Sequence, residues 1–360
     1  MTDLRIGIIG AGRIADLHAL AYGPGSRASI AAVCDADAGI AEARAKEWHA
    51  EHAYTDYREL LADRRIDGVE VILPHHLHAE IAIAALEARK PVSVQKPMAR
   101  SVAESHTMAE AARRTGTDLR VLENFRHYPP FVLAKRMIDD GAIGDPQAQH
   151  ISVIGGVGDG GEHGGWKVPG RAWRWRFDEE LCGGGPCMFD HGYHIFSIAQ
   201  YLLGPVEEVF AWILHTQAGG AHIDRPAVVS WRHTAPNRLG SWDTTGSFEL
   251  PVPSKYYTND ERVQIVGERG IIWVNHCSGM LTEDAPVRLY RDGVTTEYRD
   301  VEWDWGASFR IGGRDWHDHL LDGSPCEMTA AEGIEVMRFT EAAHVSAREN
   351  RPVRLAEIPG

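Results

Sequence analysis

Two short stretches of the sequence carry side chains that could move a proton. In "FDHGYH", Asp190 and His194 lie four residues apart, so on a helix they share one face. A carboxylate beside a histidine can orient the imidazole and raise its basicity, as general-base chemistry requires. Lys96 ends an apolar strand in "SVQKPM" and adds a cation. Lys96, Asp190 and His194 are therefore the predicted catalytic residues. An acidic helix start followed by a half-buried histidine would give the same local pattern.

A metal site is the competing interpretation of this region. Its possible ligands are Cys182, Cys187, His191, His194 and His163. Their spacing matches no common zinc finger, so we predict no metal. His191 is expected to point toward Ile195 and Ile198 and to be structural.

The segment "GIIGAGRIA" has the spacing of a dinucleotide-binding turn. Gly10 allows a tight turn, Gly12 lets the backbone approach a pyrophosphate, and Ala15 allows close packing of the helix on the strand. The helix N-terminus then offers free N–H groups to the phosphates. Asp35 ends the next predicted strand, where a carboxylate accepts the ribose hydroxyls of NAD and repels the extra phosphate of NADP. The predicted cofactor is therefore NAD rather than NADP.

Two further features bear on the cofactor. Arg27 and Arg44 could still admit some NADP. A second glycine motif begins at Gly156 in "GVGDGG", but no helical pattern follows it, so we predict a loop near a substrate entrance.

Composition excludes several functional classes. The chain has 360 residues and a formal net charge of −14, which argues against nucleic acid or an anionic membrane as partner. No apolar run reaches the roughly 20 residues of a membrane span. The first residues do not resemble a signal peptide. Five cysteines without regular spacing are typical of free thiols in a reducing cytoplasm.

The elements that must position the catalytic residues are readable from hydrophobic periodicity. Apolar runs at 5–10, 30–35, 68–74, 91–97 and 118–124 alternate with helical patterns, which predicts an α/β, doubly wound parallel sheet. After about residue 150, strand-like runs follow one another, with a hairpin signal at Asp292-Gly293, and predict an open, mostly antiparallel sheet. Two helices are expected near 309–322 and 329–348. The predicted domains are 1–124, which binds the dinucleotide, and 125–360, which binds substrate and mediates oligomerisation.

Several longer stretches resemble one family. They are "GIIGAGRIA", "PHHLHAEIAIAALEARKPVSVQKPMA", "GGGPCMFDHGYH" and "ARENRPVRL". In these motifs the chain resembles the Gfo/Idh/MocA oxidoreductases over nearly its whole length. The resemblance implies a Rossmann domain, a second domain built on an open sheet, and oxidation or reduction of sugars, inositols and their derivatives with NAD(P).

The resemblance also assigns residues. The family's Glu-Lys-Pro motif matches Gln95-Lys96-Pro97, and its Asp-x₃-His motif matches Asp190 and His194. The predicted cofactor contacts are Gly10, Gly12, Arg13, Ile14, Asp35, Pro74, His78, Gln95 and Asn124. The predicted substrate contacts are Arg126, Tyr128, Trp173, Arg174 and Trp175.

Gln95 departs from the family motif. A neutral amide does not supply the negative charge of a glutamate, so we expect Lys96 to be less firmly cationic than in relatives. Restoring glutamate at position 95 is expected to change the pH–rate profile.

The predicted reaction moves a hydride between nicotinamide and a secondary alcohol of a sugar, a glycoside or a cyclic polyol. Carbon 3 of a glucoside is one specific candidate. A myo-inositol-type dehydrogenase, a non-catalytic NAD-dependent sensor and a zinc hydrolase are the alternatives. Burial of the open sheet face predicts a homodimer or homotetramer.

Overall fold

The N-terminal half forms a parallel sheet flanked by helices. The computed structural model describes residues 4–158, 174–218 and 221–360. The first sheet contains β1 (Leu4–Ile9), β2 (Ala28–Cys34), β3 (His52–Tyr54), β4 (Gly68–Val71), β5 (Val92–Gln95) and β6 (Leu119–Leu122). Its order is β3-β2-β1-β4-β5-β6, and all its pairs are parallel. The predicted doubly wound architecture is confirmed.

Helices alternate with these strands. They are α1 (Ala15–Ala19), α2 (Ala38–Glu47), α3 (Tyr57–Ala62), α4 (His78–Glu87) and α5 (Val102–Thr115). The side chains of Asp37 and Ser101 cap α2 and α5 by accepting backbone N–H groups of the first turn. The sequence analysis missed β3 and α3, because β3 has only three residues and is not buried.

The strand order creates a cleft for a ligand. The order reverses between β1 and β4, and such a switch point is where open α/β sheets bind ligands, at the carboxyl ends of their strands. Every residue of β4, β5 and β6 is buried, as expected for inner parallel strands. The residues that follow them at this edge are His75, Lys96 and Glu123.

The C-terminal half is built on a nine-stranded sheet. Its strands are β7 (Pro146–Val157), β8 (Val206–Ile213), β11 (Ala227–His233), β12 (Leu239–Pro251), β13 (Asn259–Gly267), β14 (Gly270–Val274), β15 (Val287–Arg291), β16 (Val294–Tyr298) and β17 (Val353–Arg354). The order is β16-β15-β14-β13-β7-β12-β11-β8-β17. Among these described strands only the β7–β12 pair is parallel, which confirms a mostly antiparallel sheet.

Shorter features complete this half. Strands β9 (Thr216–Ala218) and β10 (Ala221–Ile223) form a separate ribbon. Asp292 and Gly293 both have positive φ and connect β15 to β16, as the hairpin signal predicted. The sequence analysis missed β12, β9 and β10, which carry many glycine and polar residues.

The C-terminal residues also form helices. They are α6 (Pro129–Asp139), α7 (Glu179–Cys182), α8 (Gly192–Leu203), α9 (Trp305–Asp322) and α10 (Ala330–Glu349). Helices α6, α8 and α10 pack on strands of the large sheet, whereas α9 packs on the first sheet. Helices α9 and α10 agree with the helices expected near 309–322 and 329–348. Phe196 of α8 packs against Phe339 of α10 and Trp242 of β12, so the core lies between helices and sheet.

Helix α9 joins the two halves. Its Trp316 is fully buried against Ile6 and Ala28 of the first sheet. Arg314 donates to the backbone oxygen of Pro24 at 2.8 Å. The domain boundary at residue 124 stays a prediction. Helix α9 belongs to the second predicted domain by sequence but packs on the first sheet.

A search of the described residues for membrane spans returns no helix that is both long and apolar enough to cross a bilayer.

Candidate active site

Lys96 and Asp190 form an ion pair at the edge where the strands of the first sheet end. The Lys96 Nζ lies 2.7 Å from Asp190 Oδ1 and also donates to the Asp190 carbonyl oxygen at 2.8 Å. Asp190 sits in a π-helical turn, Pro186–His191, that leads into α8, and it is 7% exposed. Lys96 follows β5, so the pair joins the two halves of the protein.

Asp190 has two further partners, Arg176 and His75. Its Oδ2 accepts from Arg176 Nε at 2.6 Å, and His75 Nε2 lies 3.4 Å from Oδ1. Burial opposes ionisation of Asp190, but the charges of Lys96 and Arg176 outweigh it and hold its pKa well below the ordinary value. Asp190 is therefore an ionised centre that fixes the Lys96 amine. The sequence analysis missed His75 and Arg176.

His194 has a different carboxylate partner from the one predicted. Its Nδ1 lies 2.7 Å and 2.9 Å from the two oxygens of Glu123, and its ring stacks on Phe125 with centroids 4.2 Å apart. The expectation that Asp190 orients His194 is wrong, because Asp190 is held by Lys96 and Arg176. With Nδ1–H donating to Glu123, the second nitrogen of His194 is left to exchange a proton with a ligand.

The electrostatics of this pair suit a base. Burial lowers the pKa of His194; Glu123 opposes that shift and Lys96 adds to it. Burial raises the pKa of Glu123, but His194 and Lys96 outweigh it, so the net direction is downward. His194 is thus neutral near pH 7 and is supported by a fully buried carboxylate.

Glu123 was missed although the sequence carries a signal for it. It is the first residue after β6, at the same sheet edge as Lys96 after β5. A carboxylate directly after an apolar parallel strand indicates a ligand-binding position as well as a lysine there does.

His191 lies beside His194 instead of pointing into the core. Its Nε2 lies 2.8 Å from Glu261 Oε1 on β13, and the rings of His191 and His194 are 5.7 Å apart. The expectation that it points toward Ile195 is wrong, because the turn before α8 is π-helical and not α-helical.

A buried aspartate fixes the start of this turn. Asp224 accepts from the backbone N–H groups of Cys187 at 2.8 Å and Met188 at 2.6 Å. A Cβ at Gly185 would lie 2.1 Å from the Asp224 carboxyl carbon, so only glycine fits there. Asp224 therefore holds the backbone that carries Asp190 and His194.

The glycine turn of β1 is shaped for a ligand. Gly10 has φ +95°, and a Cβ there would lie 2.1 Å from the Ile72 carbonyl oxygen, so the fold itself requires this glycine. A Cβ at Gly12 would meet nothing within 4 Å. Asp35 Oδ2 accepts the Ala11 N–H at 3.0 Å, which brings its carboxylate to this turn. These residues fit a dinucleotide: Gly12 leaves room for pyrophosphate and Asp35 offers a ribose acceptor.

Two family models match most of the chain. The profile described as "Oxidoreductase family, NAD-binding Rossmann fold" matches residues 4–123, and the GFO/IDH/MocA C-terminal domain matches 131–273. The chain belongs to the Gfo/Idh/MocA oxidoreductase family. Its first third is an NAD-binding Rossmann domain.

Curated relatives within this family act on sugars and polyols. Levoglucosan dehydrogenase of Pseudarthrobacter phenanthrenivorans is 33% identical over 61% of this chain and 58% of its own length. Myo-inositol 2-dehydrogenase of Thermotoga maritima is 26% identical over 99% of this chain and all of its own. D-glucoside 3-dehydrogenase of Escherichia coli is 27% identical over 76% of this chain and 70% of its own.

A solved structure has the same fold. Levoglucosan dehydrogenase in complex with NADH and levoglucosan superposes with a TM-score of 0.83 over 99% of this chain and 100% of that one, at 24% identity. At this identity the likeness concerns the Gfo/Idh/MocA architecture alone.

The arginines considered for NADP are engaged with carboxylates. Arg27 bonds Asp318 and Asp322 of α9, away from the glycine turn. Arg44 lies 2.6 Å from Asp16 and 2.7 Å from Glu47. The suggestion that Arg27 admits NADP is therefore wrong. Arg44 is already paired with two carboxylates.

The other predicted cofactor contacts fall into two groups. Arg13, Ile14 and Pro74 flank the cleft, at the glycine turn and after β4. His78 is removed from the predicted contacts, because it is fully buried with its ring nitrogens 2.9 Å and 2.8 Å from the carbonyls of Pro97 and Leu73. Burial lowers its pKa to about 3.

Gln95 and Asn124 are both buried at the sheet edge. The Asn124 amide donates to Ser308 Oγ at 2.9 Å, while its side-chain oxygen is buried with no partner among the described residues. Gln95 accepts the Lys96 N–H at 2.6 Å and does not bond the Lys96 amine. The charge beside that amine comes from Asp190, a point the sequence motif did not reveal. Cofactor contacts by these two residues stay a prediction.

The predicted substrate contacts are only partly at the site. Arg126 is buried, where it donates to Ser197 at 3.0 Å and Glu332 at 2.6 Å, and Tyr128 donates to the Trp303 carbonyl at 3.0 Å. Both side chains are held by these bonds, and substrate contacts by them stay a prediction.

Two residues next to the predicted Trp173-Arg174 pair, Trp175 and Arg176, contact side chains of the candidate site. Trp173 lies outside the described residues, and Arg174 is exposed. Trp175 contacts the His75 ring edge-on at 4.5 Å, and Arg176, not Arg174, reaches Asp190. Trp175 stays a predicted substrate contact.

The candidate metal ligands in the described part of the chain do not cluster. No group of three or more His, Cys, Asp or Glu residues there could hold an ion. His163 lies outside the described residues.

Proposed function

We propose that this protein is an NAD-dependent dehydrogenase that oxidises a secondary alcohol of a sugar-like polyol, or reduces the matching ketone. The observation that carries the proposal is the pairing of a fixed amine with a buried neutral base. Lys96 is held by Asp190, and His194 is held by Glu123. Both lie at the carboxyl edge of the dinucleotide-binding sheet.

Each residue has a distinct task in this mechanism. His194 removes the hydroxyl proton, and Glu123 orients the ring and stabilises the imidazolium that forms. Lys96 donates a hydrogen bond to the same substrate oxygen and stabilises the developing alkoxide. Asp190 holds the amine in place through its carboxylate and its carbonyl oxygen. NAD bound in the cleft supplies the hydride acceptor.

Steady-state kinetics tests these roles. Lys96→Met and His194→Gln are each expected to bind NAD normally while kcat falls by about 10²-fold or more. NADH formation at 340 nm and NAD binding by calorimetry are the two measurements. A variant that kept near-native turnover would remove its residue from the mechanism.

The relatives favour a sugar or a cyclic polyol as the substrate. Dehydrogenases of levoglucosan, glucoside carbon 3 and myo-inositol are all similar to this chain. We favour a glycoside or anhydrosugar oxidised at carbon 3, because two of these three act on a blocked anomeric sugar. Methyl glucosides, levoglucosan, free hexoses and myo-inositol form the test panel. Faster turnover of myo-inositol would favour the inositol-type alternative, and no turnover of any compound would favour a non-catalytic sensor.

Asp35 and the engaged arginines support NAD over NADP. Asp35 approaches the glycine turn, and Arg44 is paired with Asp16. Asp35→Ser is expected to raise the KM for NAD by about ten-fold and to lower that for NADP.

We further propose that a second copy of the chain covers the open face of the nine-stranded sheet. Trp212 and Val228 face each other across β8 and β11 and are 57% and 45% exposed. Exposed aromatic and aliphatic groups of this size are unusual on a monomer. Light scattering of Trp212→Glu is expected to give a monomer. Val294→Glu, at the far end of the sheet, is the control that keeps the native mass.

The five cysteines support a reducing compartment. All of them are free thiols in the structure. We therefore propose a cytoplasmic location, where such thiols persist.

A further inference from the structure

A buried chain of hydrogen bonds runs behind Lys96, through side chains that the reaction itself does not use. It links Gln95 at the end of β5, His18 in α1 and Glu70 in β4. His18 and Glu70 are each 1% exposed and Gln95 is 6% exposed. Two ionisable groups and an amide are thus buried together one step away from the catalytic lysine.

The direction of donation along this series of hydrogen bonds is fixed by Lys96. The backbone N–H of Lys96 donates to Gln95 Oε1 at 2.6 Å, and a backbone N–H has no other role. The Gln95 NH₂ group must then face His18, whose Nε2 is 3.1 Å away. Because an amide NH₂ only donates, the His18 Nε2 has to be an unprotonated acceptor.

The other end of the chain agrees with this direction. The His18 Nδ1 contacts one oxygen of Glu70, and the Tyr22 hydroxyl donates to the other. A carboxylate only accepts, so the His18 proton belongs on Nδ1. Glu70 therefore selects one tautomer of His18, and that tautomer selects one orientation of the Gln95 amide.

We propose that Glu70 and His18 are positioning residues for Lys96, acting through Gln95. The proposal deepens the dehydrogenase function proposed above and rests on it. Lys96 must reach Asp190 and the substrate oxygen from a fixed strand end, and small displacements of a reacting group are costly. Gln95 holds the Lys96 peptide in place only while its carbonyl faces the Lys96 N–H.

This chain of bonds also explains the amide at position 95. A glutamate there would offer His18 a second acceptor, and His18 would then need protons on both nitrogens. With Gln95 the negative charge stays on Glu70 and the histidine stays neutral. An amide at position 95 therefore suits a network in which Glu70 already supplies the carboxylate.

Kinetics of paired variants tests the positioning role. Glu70→Leu and His18→Leu are each expected to lower kcat by about ten-fold, with KM for NAD and substrate changed by less than about three-fold. Glu70→Gln retains a carbonyl acceptor for the His18 Nδ1–H, so it is expected to recover most of the lost kcat. His233→Leu is the matched control: His233 is buried on β11 of the large sheet, outside this series of bonds, with its ring nitrogens 3.1 Å from Gln149 Nε2 and 2.9 Å from the Gly204 carbonyl oxygen.

Two results would overturn the proposal. One is a Glu70→Gln enzyme as slow as Glu70→Leu. The other is a kcat for His18→Leu equal to that of His233→Leu, which would make any loss a general effect of core disruption.

The tautomer is measurable without a substrate. Nitrogen-15 NMR of histidine-labelled protein, with His18 assigned through the His18→Leu variant, is expected to show a neutral ring protonated on Nδ1. A doubly protonated or Nε2–H ring would reject the proposal even if the enzyme oxidises sugars. The expected tautomer in a protein that turns over no polyol would instead locate the failure in the proposed function.

Discussion

At the scale of single residues, the proposed catalytic residues were readable from the sequence but their partners were not. Lys96, Asp190 and His194 all lie in the predicted cleft. The partner of His194 is Glu123, which is 71 positions away in the chain. Helical spacing suggested Asp190 for that place, because proximity in sequence was the sole guide to proximity in space. The ion pair of Asp190 with Arg176 depends likewise on tertiary packing.

The carboxylate of Glu123 is expected to set the acid limb of the pH–rate profile. His194 must be unprotonated to act as a base, so oxidation fails as pH falls through its pKa, which burial places below the ordinary value near 6.5. Glu123→Gln removes the charge that raises this pKa. The acid limb of kcat/KM should therefore move to lower pH, and kcat should fall by about ten-fold.

A pH series from 4.5 to 8 measures that shift. Glu302→Gln, which removes a surface carboxylate paired with Arg310, is the control expected to leave the profile unchanged. An acid limb that stays in place or moves upward in Glu123→Gln would contradict the assigned partner.

The two glycines of the β1 turn separate folding from binding. Gly10→Ala forces a side chain into the Ile72 carbonyl at positive φ and is expected to destabilise the fold by about 2–3 kcal/mol. Gly12→Ala meets empty space, so the free energy of unfolding should stay within about 0.5 kcal/mol of native. Its NAD affinity, measured by calorimetry, should fall by about ten-fold or more, because the new methyl fills the pyrophosphate approach. Unchanged NAD affinity in Gly12→Ala would place the dinucleotide elsewhere.

At the scale of elements, strong hydrophobic patterns were predictable and weak ones were not. The runs that became β4, β5 and β6 are rich in valine and leucine because both their faces are buried, although Glu70, Ser93 and Arg120 interrupt them. Strand β12 was missed because Gly240 and Gly246 and several polar side chains interrupt the alternation. The π-helical turn before α8 was also beyond sequence reasoning, since its extra residue changes which side chains share a face.

The anchor of that turn is expected to control catalysis from a distance. Asp224→Ala leaves the N–H groups of Cys187 and Met188 without their acceptor, at a cost of about 1–3 kcal/mol for each buried group. The loosened turn carries both Asp190 and His194, so kcat should fall further than the fraction of folded enzyme. Asp224→Asn keeps one acceptor oxygen and is expected to lie between Asp224→Ala and native in kcat.

Urea titration and single-turnover kinetics separate the two effects. Asp300→Ala, at an exposed position after β16, serves as control and should alter neither quantity. If Asp224→Ala lost stability but kept native kcat under fully folded conditions, the turn would be held by other contacts.

At the scale of the whole molecule, the pH dependence of stability comes from histidines that the fold keeps neutral. Burial lowers the pKa of His78 and His127 to about 3 and that of His317 to about 4. Unfolding returns each ring to a pKa near 6.5, so the unfolded state binds more protons below that pH. Composition gave the number of histidines, but only the packing of α9 and α4 on the first sheet determined which of them are buried.

The free energy of unfolding is therefore expected to fall steeply as pH drops from about 6.5 toward 4. Each of these histidines contributes a slope of about 1.4 kcal/mol per pH unit, present only between its unfolded and folded pKa values. His317→Leu should reduce the total slope by that amount, because one proton is no longer taken up on unfolding. His49→Asn, at an exposed position with positive φ that asparagine tolerates, should leave the slope unchanged. Urea unfolding followed by tryptophan fluorescence at pH 7.5, 6.0 and 5.0 gives these slopes, and equal slopes for the native chain and His317→Leu would show that His317 is protonated in the folded protein.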